Sequence, residues 1–182
     1  MADPQAQVPA PMPSKRGHPL VRATGGLMGL LSVALAAQPP PSLAEPPARQ
    51  PPQQLPLESR WCLPQGECIL LEVADEPREQ TLGLQLRSRL APLRGMWFPY
   101  SEPQTLRFWM HRTPEPLDMI FLRNHRVIAI EANTSPCPHL PCRSYGPSQA
   151  SDGVVELAAG EAARLGILVG TPAAIAPIER QP

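Results

Sequence analysis

The chain has 182 residues, 27 of them Pro, and its 16 Lys plus Arg balance 16 Asp plus Glu. That length holds a leader and one ordinary domain, which argues against a two-domain enzyme and a polytopic membrane protein. The balanced charge argues against a nucleic-acid surface and against an acidic solvating tail.

Lys15, Arg16 and Arg22 precede an apolar run at 25–37, GGLMGLLSVALAA. The run is shorter than the roughly 20 residues of a membrane span and matches the ~7–15-residue apolar part of an export signal. Ser42-Leu43-Ala44 and Ala34-Leu35-Ala36 both place small residues at −3 and −1 of a cleavage site. Cleavage after Ala44 is expected, because Pro39, Pro40 and Pro41 end the apolar helix and expose that site. Residues 1–44 are read as a signal peptide starting at Met1 or Met12, and the protein as periplasmic or extracellular. An uncleaved anchor is the alternative, and only this segment is expected to meet a membrane. Residues 45–60 are Pro-rich and carry no aromatic side chain, the composition of an extended, solvated linker.

The first aromatic residue is Trp61, so a single folded domain is expected over 61–178. Its four Cys fall as two close pairs, Cys62 with Cys68 and Cys137 with Cys142. Four Cys allow three connectivities, and local disulfides are expected in an exported chain. A zinc site is the rival, with His139 between the second pair, but the spacings are longer than C-x2–4-C; no metal is assigned.

In chain order, a hairpin is expected around Pro64-Gln65-Gly66, running into a strand at 68–74. Asp75 is placed to cap a short helix that ends near Gly83. Strands are expected at 96–100, 106–110, 117–122, 126–132, 154–157 and 173–178, with a tight turn at Arg123-Asn124-His125 and a second helix over 161–165. Trp97, Phe98, Phe108 and Trp109 are assigned to the core. Short strands punctuated by Pro and Gly predict a mainly β fold, a small β-sandwich or partly closed barrel with two short helices.

The strings VADEPREQTLGLQLRSRL (73–90), GMWFPY (95–100), FWMHRTPEPLDMIF (108–121), IAIEANTSPCPHLPCRSYG (128–146), VVELAAG (154–160) and GILVG (166–170) resemble the domain-of-unknown-function 192 family over roughly 68–176. The resemblance implies a small β-rich domain, often exported or membrane-tethered in bacteria, and implies no established reaction. The chain departs from the common family pattern at Gln85, where Met is usual, and at His111-Arg112, where Lys-Asn is usual.

Trp109, His111, Arg112, Asp118 and Glu156 are the candidate ligand-binding residues. Trp109 offers a stacking surface, and Arg112 with Asp118 the polar contacts. A carboxylate on the apolar strand at 117–122 must be paired or hydrogen-bonded, so Asp118 is expected to be buried, holding the Pro114–Pro116 corner with Arg112 or the corner's own amides. No G-x-S-x-G elbow or phosphate loop occurs, and no cofactor is assigned. The leading reading is a binding or accessory module of the cell envelope for a small polar ligand or envelope component, not an enzyme. The alternatives are a small hydrolase using Asp118 with Glu156 or His111, and a structural partner of an envelope protein.

Overall fold

A computed structural model describes residues 51–179. The export segment, its cleavage after Ala44, the start at Met1 or Met12 and the first part of the linker lie outside the described residues. The elements are β1 (Leu57–Cys62), β2 (Cys68–Val73), α1 (Pro77–Leu82), β3 (Arg94–Gln104), β4 (Phe108–Trp109), β5 (Leu117–Arg123), β6 (Arg126–Thr134), β7 (Ser144–Tyr145), β8 (Ser151–Ala158), α2 (Glu161–Arg164) and β9 (Ile175–Pro177). Seven strands form one mixed sheet in the order β6-β5-β8-β3-β2-β1-β9, while β4 and β7 pair as a separate ribbon.

The expected hairpin forms between β1 and β2, with Gly66 in the turn at φ 103° and a Cys62–Cys68 disulfide across its base. β1 begins at Leu57, inside the span that composition assigns to the linker. The residues before it are also tied down. The Leu55 N–H donates to Glu72 Oε2 (2.9 Å), and Gln53 Nε2 donates to the carbonyls of Glu79 and Gly83 (both 2.9 Å). Glu72 in turn pairs bidentately with Arg87, both contacts at 2.9 Å.

Strands β2 and β3 are parallel, and parallel neighbours need a crossover. That connection carries α1. Its N-cap is Glu76 and not Asp75, because Pro77 occupies the first helical position and holds the preceding residue extended (φ −89°, ψ 146°).

The strand expected at 106–110 shrinks to Phe108–Trp109. The chain turns away at once: the Met110 carbonyl accepts from both Thr113 N–H and Cys137 N–H (3.1 Å each), and Arg112 adopts a left-handed φ of 56°. Trp109 is consequently not core; it is 48 % exposed.

β5 and β8 lie inside the sheet and are buried on both faces, hence their nearly unbroken apolar runs. Ile120, Leu122, Val155 and Leu157 pack on one face with Trp61, Ile69 and Leu71. Met119, Phe121 and Val154 pack on the other with Met96, Phe98 and Met110. The sheet is not closed into a barrel, since β6 and β9 end the order. The segment entering β9 still reaches the β6 edge, where Val127 N–H donates to Thr171 O (3.0 Å) and Gly170 N–H to Val127 O (2.8 Å).

Candidate functional site

The sheet register separates the two carboxyl groups on which an acid–base pair would depend. Asp118 lies opposite Leu157, and Met119 opposite Glu156. Directly opposed residues of an antiparallel pair share a face, so Asp118 projects with Ile120 and Leu157, and Glu156 with Met119 and Met96. Asp118 and Glu156 therefore do not face one another.

Asp118 has a complete structural assignment. The β5–β6 register shifts between Leu117 and Met119, leaving a bulge in β6 that contains Asn133, at φ 54°. Asp118 Oδ1 accepts the Asn133 N–H at 2.9 Å and Oδ2 accepts the Ala162 N–H at 3.0 Å. A bulge leaves ladder groups unpaired, and the first turn of a helix has N–H groups without intrahelical partners. One carboxylate, 1 % exposed, serves both. The expected burial is found, but neither expected partner is: both of the Asp118 bonds run to β6 and α2, not to the Pro114–Pro116 corner's own amides, and Arg112 is exposed, its guanidinium making no hydrogen bond or ion pair among the described residues.

Trp109, His111 and Glu156 do come together. They line one cavity of about 30 Å³, room for one or two water-sized groups, with Gln80, Gly83, Phe98, Phe108 and Thr113. The elements bring them in from two sides. β8 and β3 supply Glu156 and Phe98 from the sheet, and α1 with its following turn covers them. Gly83 suits that turn because it takes a positive φ of 46°, which L side chains rarely adopt. Phe98 and Phe108 meet edge to face with centroids 5.0 Å apart, and the Trp109 and His111 rings lie 5.4 Å apart.

Glu156 is 4 % exposed. No hydrogen bond reaches its carboxyl among the described residues. Burial without a partner disfavours the charged form, and it pushes the Glu156 carboxyl up to about 8. The nearby Tyr100 hydroxyl is also raised, first by its own burial and then by the charge of Glu156. At neutral pH Glu156 is thus mainly a carboxylic acid, one O–H donor with acceptor capacity remaining.

His139 lies in the exposed loop closed by the Cys137–Cys142 disulfide. The sequence reading missed Gln80 and Gly83. Their signal was present in the 73–90 string, whose Pro77 and Gly83 bracket a short helix that only the crossover brings onto β3 and β8.

Residues 62–175 match the DUF192 family, described as uncharacterized ACR, and the chain belongs to that family. It is similar to a protein of unknown function from Novosphingobium aromaticivorans DSM 12444, with 31 % identity, a TM-score of 0.57, and coverage of 65 % of this chain and 83 % of that one. It is also similar to a protein of Sinorhizobium meliloti 1021 described as a "putative transcription regulator", with 28 % identity, a TM-score of 0.56, and coverage of 66 % and 92 %. No curated protein matches the chain.

Proposed function

We propose that this protein is an exported binding module of the cell envelope, which takes the polar head of a small ligand into the cavity behind Trp109. The observation that carries this reading is Glu156: a buried carboxyl without a hydrogen-bond partner, lining a cavity with His111 and an exposed Trp. Burying such a group is unfavourable, and a ligand that hydrogen-bonds to it recovers that loss. The half-exposed Trp109 ring supplies an apolar surface for the remainder of the ligand. Two disulfides fit an oxidising compartment and so support export.

A thermal-shift screen of small alcohols, amides, amines and monosaccharides tests the reading. A ligand at a hundredfold excess over Kd stabilises by about 2.7 kcal/mol. Hits that disappear in Trp109→Ala and Glu156→Gln support the site. Hits that survive both variants place binding elsewhere.

A second reading is favoured by the same carboxyl. A group titrating at about 8 beside a histidine suits general acid–base chemistry. In that case Glu156 and His111 are the pair, and Asp118 is a structural residue. Turnover abolished by Glu156→Gln in a hydrolase panel would move this reading ahead.

A further inference from the structure

We infer that the ligand of the Glu156 cavity carries a primary ammonium group, which enters as the counter-ion of the Glu156 carboxylate. The inference rests on the reading of that cavity as a ligand site. Of the residues lining the cavity, contributed by α1 and its following turn, β3, β4, β8 and the chain around His111, only Glu156 and His111 are titratable. Tyr100, on β3, is a further titratable group in electrostatic contact with Glu156. No Lys or Arg lines the cavity, and no ion pair between His111 and Glu156 forms among the described residues. The acid therefore stands without a cation.

The walls match a cation in other respects. Phe98, Phe108 and Trp109 all line the space, and aromatic faces attract ammonium groups through their quadrupole. Thr113, Gln80 and Gln85 also line the space, and each carries a side-chain oxygen able to accept a hydrogen bond. An ammonium has three donors and no acceptor, so it needs an acceptor-rich site. A volume of about 30 Å³ admits a head of that size. The alkyl part of the amine then lies at the mouth against Trp109.

In the empty cavity the carboxyl holds its proton at neutral pH; when the ammonium enters, that proton leaves to solvent and an N–H···O⁻ contact replaces it. Binding of a cation is thus linked to release of one proton. With the carboxyl titrating at about 8, affinity rises roughly fifty-fold between pH 6 and pH 8 by proton linkage. A primary alkylammonium stays charged across that range, as Lys does with its pKa of ~10.4.

Calorimetric titration of the full chain with n-butylammonium at pH 6, 7 and 8, in two buffers of different ionisation enthalpy, tests this, with 1-butanol as the neutral match. The expected result is tighter butylammonium binding at each higher pH, release of close to one proton at pH 7, and loss of both features in Glu156→Gln. The wild-type pH series stands even if that variant does not fold. Nα-acetyl-lysinamide, run alongside, separates a free amine from a lysine side chain of a partner; the pH-dependent signature with either supports the ammonium head. Binding of 1-butanol as tight as butylammonium, independent of pH and lost in Trp109→Ala, would overturn the ammonium while leaving the ligand site intact. Failure of all three probes to bind at pH 8 would overturn the ammonium proposal; failure of the broader screen would overturn the site itself.

Discussion

Replacing Glu156 with Gln keeps the shape of the side chain and removes its titration, so the pair of proteins isolates one buried acid. The wild-type carboxyl is raised from 4.5 to about 8 by burial. Because the folded value lies above the unfolded one, its contribution to stability is fully present below about pH 4.5 and is lost as pH rises through about 8. Between pH 5 and 7 the unfolded chain sheds this proton while the folded chain keeps it. Integrating the difference predicts that wild-type stability falls by about 2–3 kcal/mol over that interval relative to Glu156→Gln. For a domain of this size that is a relative loss of roughly 10 °C in melting temperature. The window avoids Glu161, whose pKa is lowered mainly by its hydrogen bond with Arg164; its contribution is present above the unfolded value and is lost only as pH falls toward the acid range. Thermal unfolding of both proteins at half-unit steps from pH 5 to 7 provides the assay. Parallel curves would refute the assignment of Glu156 as a neutral buried acid, and would point to water or an ion hydrating it in the cavity.

Asp118→Ala strands the N–H groups of Asn133 and Ala162, and urea unfolding should report a loss of about 2–5 kcal/mol. Asp118→Asn should also destabilise, by about 1–3 kcal/mol, because both carboxylate oxygens accept hydrogen bonds and the amide nitrogen must face one of the donors. Arg87→Ala leaves Glu72, whose side chain is 10 % exposed, without its ion partner; a loss of about 3–5 kcal/mol is expected, with faster proteolysis near Gln53, whose carbonyl also accepts from Arg87. Replacing Cys137 and Cys142 together by Ser opens a loop with a sequence separation of 5, and should lower stability by about 2 kcal/mol in guanidinium titration.

The strands that write their pattern in consecutive residues were legible. β5 and β6 follow from their apolar runs, and the turn between them from Asn124 and His125, which take φ 49° and 57°. The first part of β1, before Trp61, was hidden because Pro51, Pro52 and Pro56 give its approach the composition of a linker, although Leu55 and Gln53 are bonded to the domain. β7 is two residues long and exists only by pairing with β4, a contact no local signal announces. In the site, the burial of Asp118 was readable from its place on an apolar strand. Its partners were not, since one comes from a bulge in β6 and the other from α2. That Asp118 and Glu156 occupy opposite faces depends on the β5–β8 register. Alternation within either strand alone cannot supply it.

The central claim, that ligand enters at Trp109, is tested most directly by the indole N–H resonances of the three Trp residues during titration with butylammonium at pH 8. Their environments are distinct. Trp61 Nε1 donates to Pro172 O at 3.0 Å; Trp97 Nε1 is buried without a partner among the described residues; Trp109 stands at the cavity mouth. The account predicts a saturable shift of the Trp109 indole together with the His111 ring protons, with Trp61 and Trp97 unmoved. A shift of Trp97, which lines a separate groove of about 440 Å³ with Tyr100 and His125, with Trp109 unmoved, would contradict it.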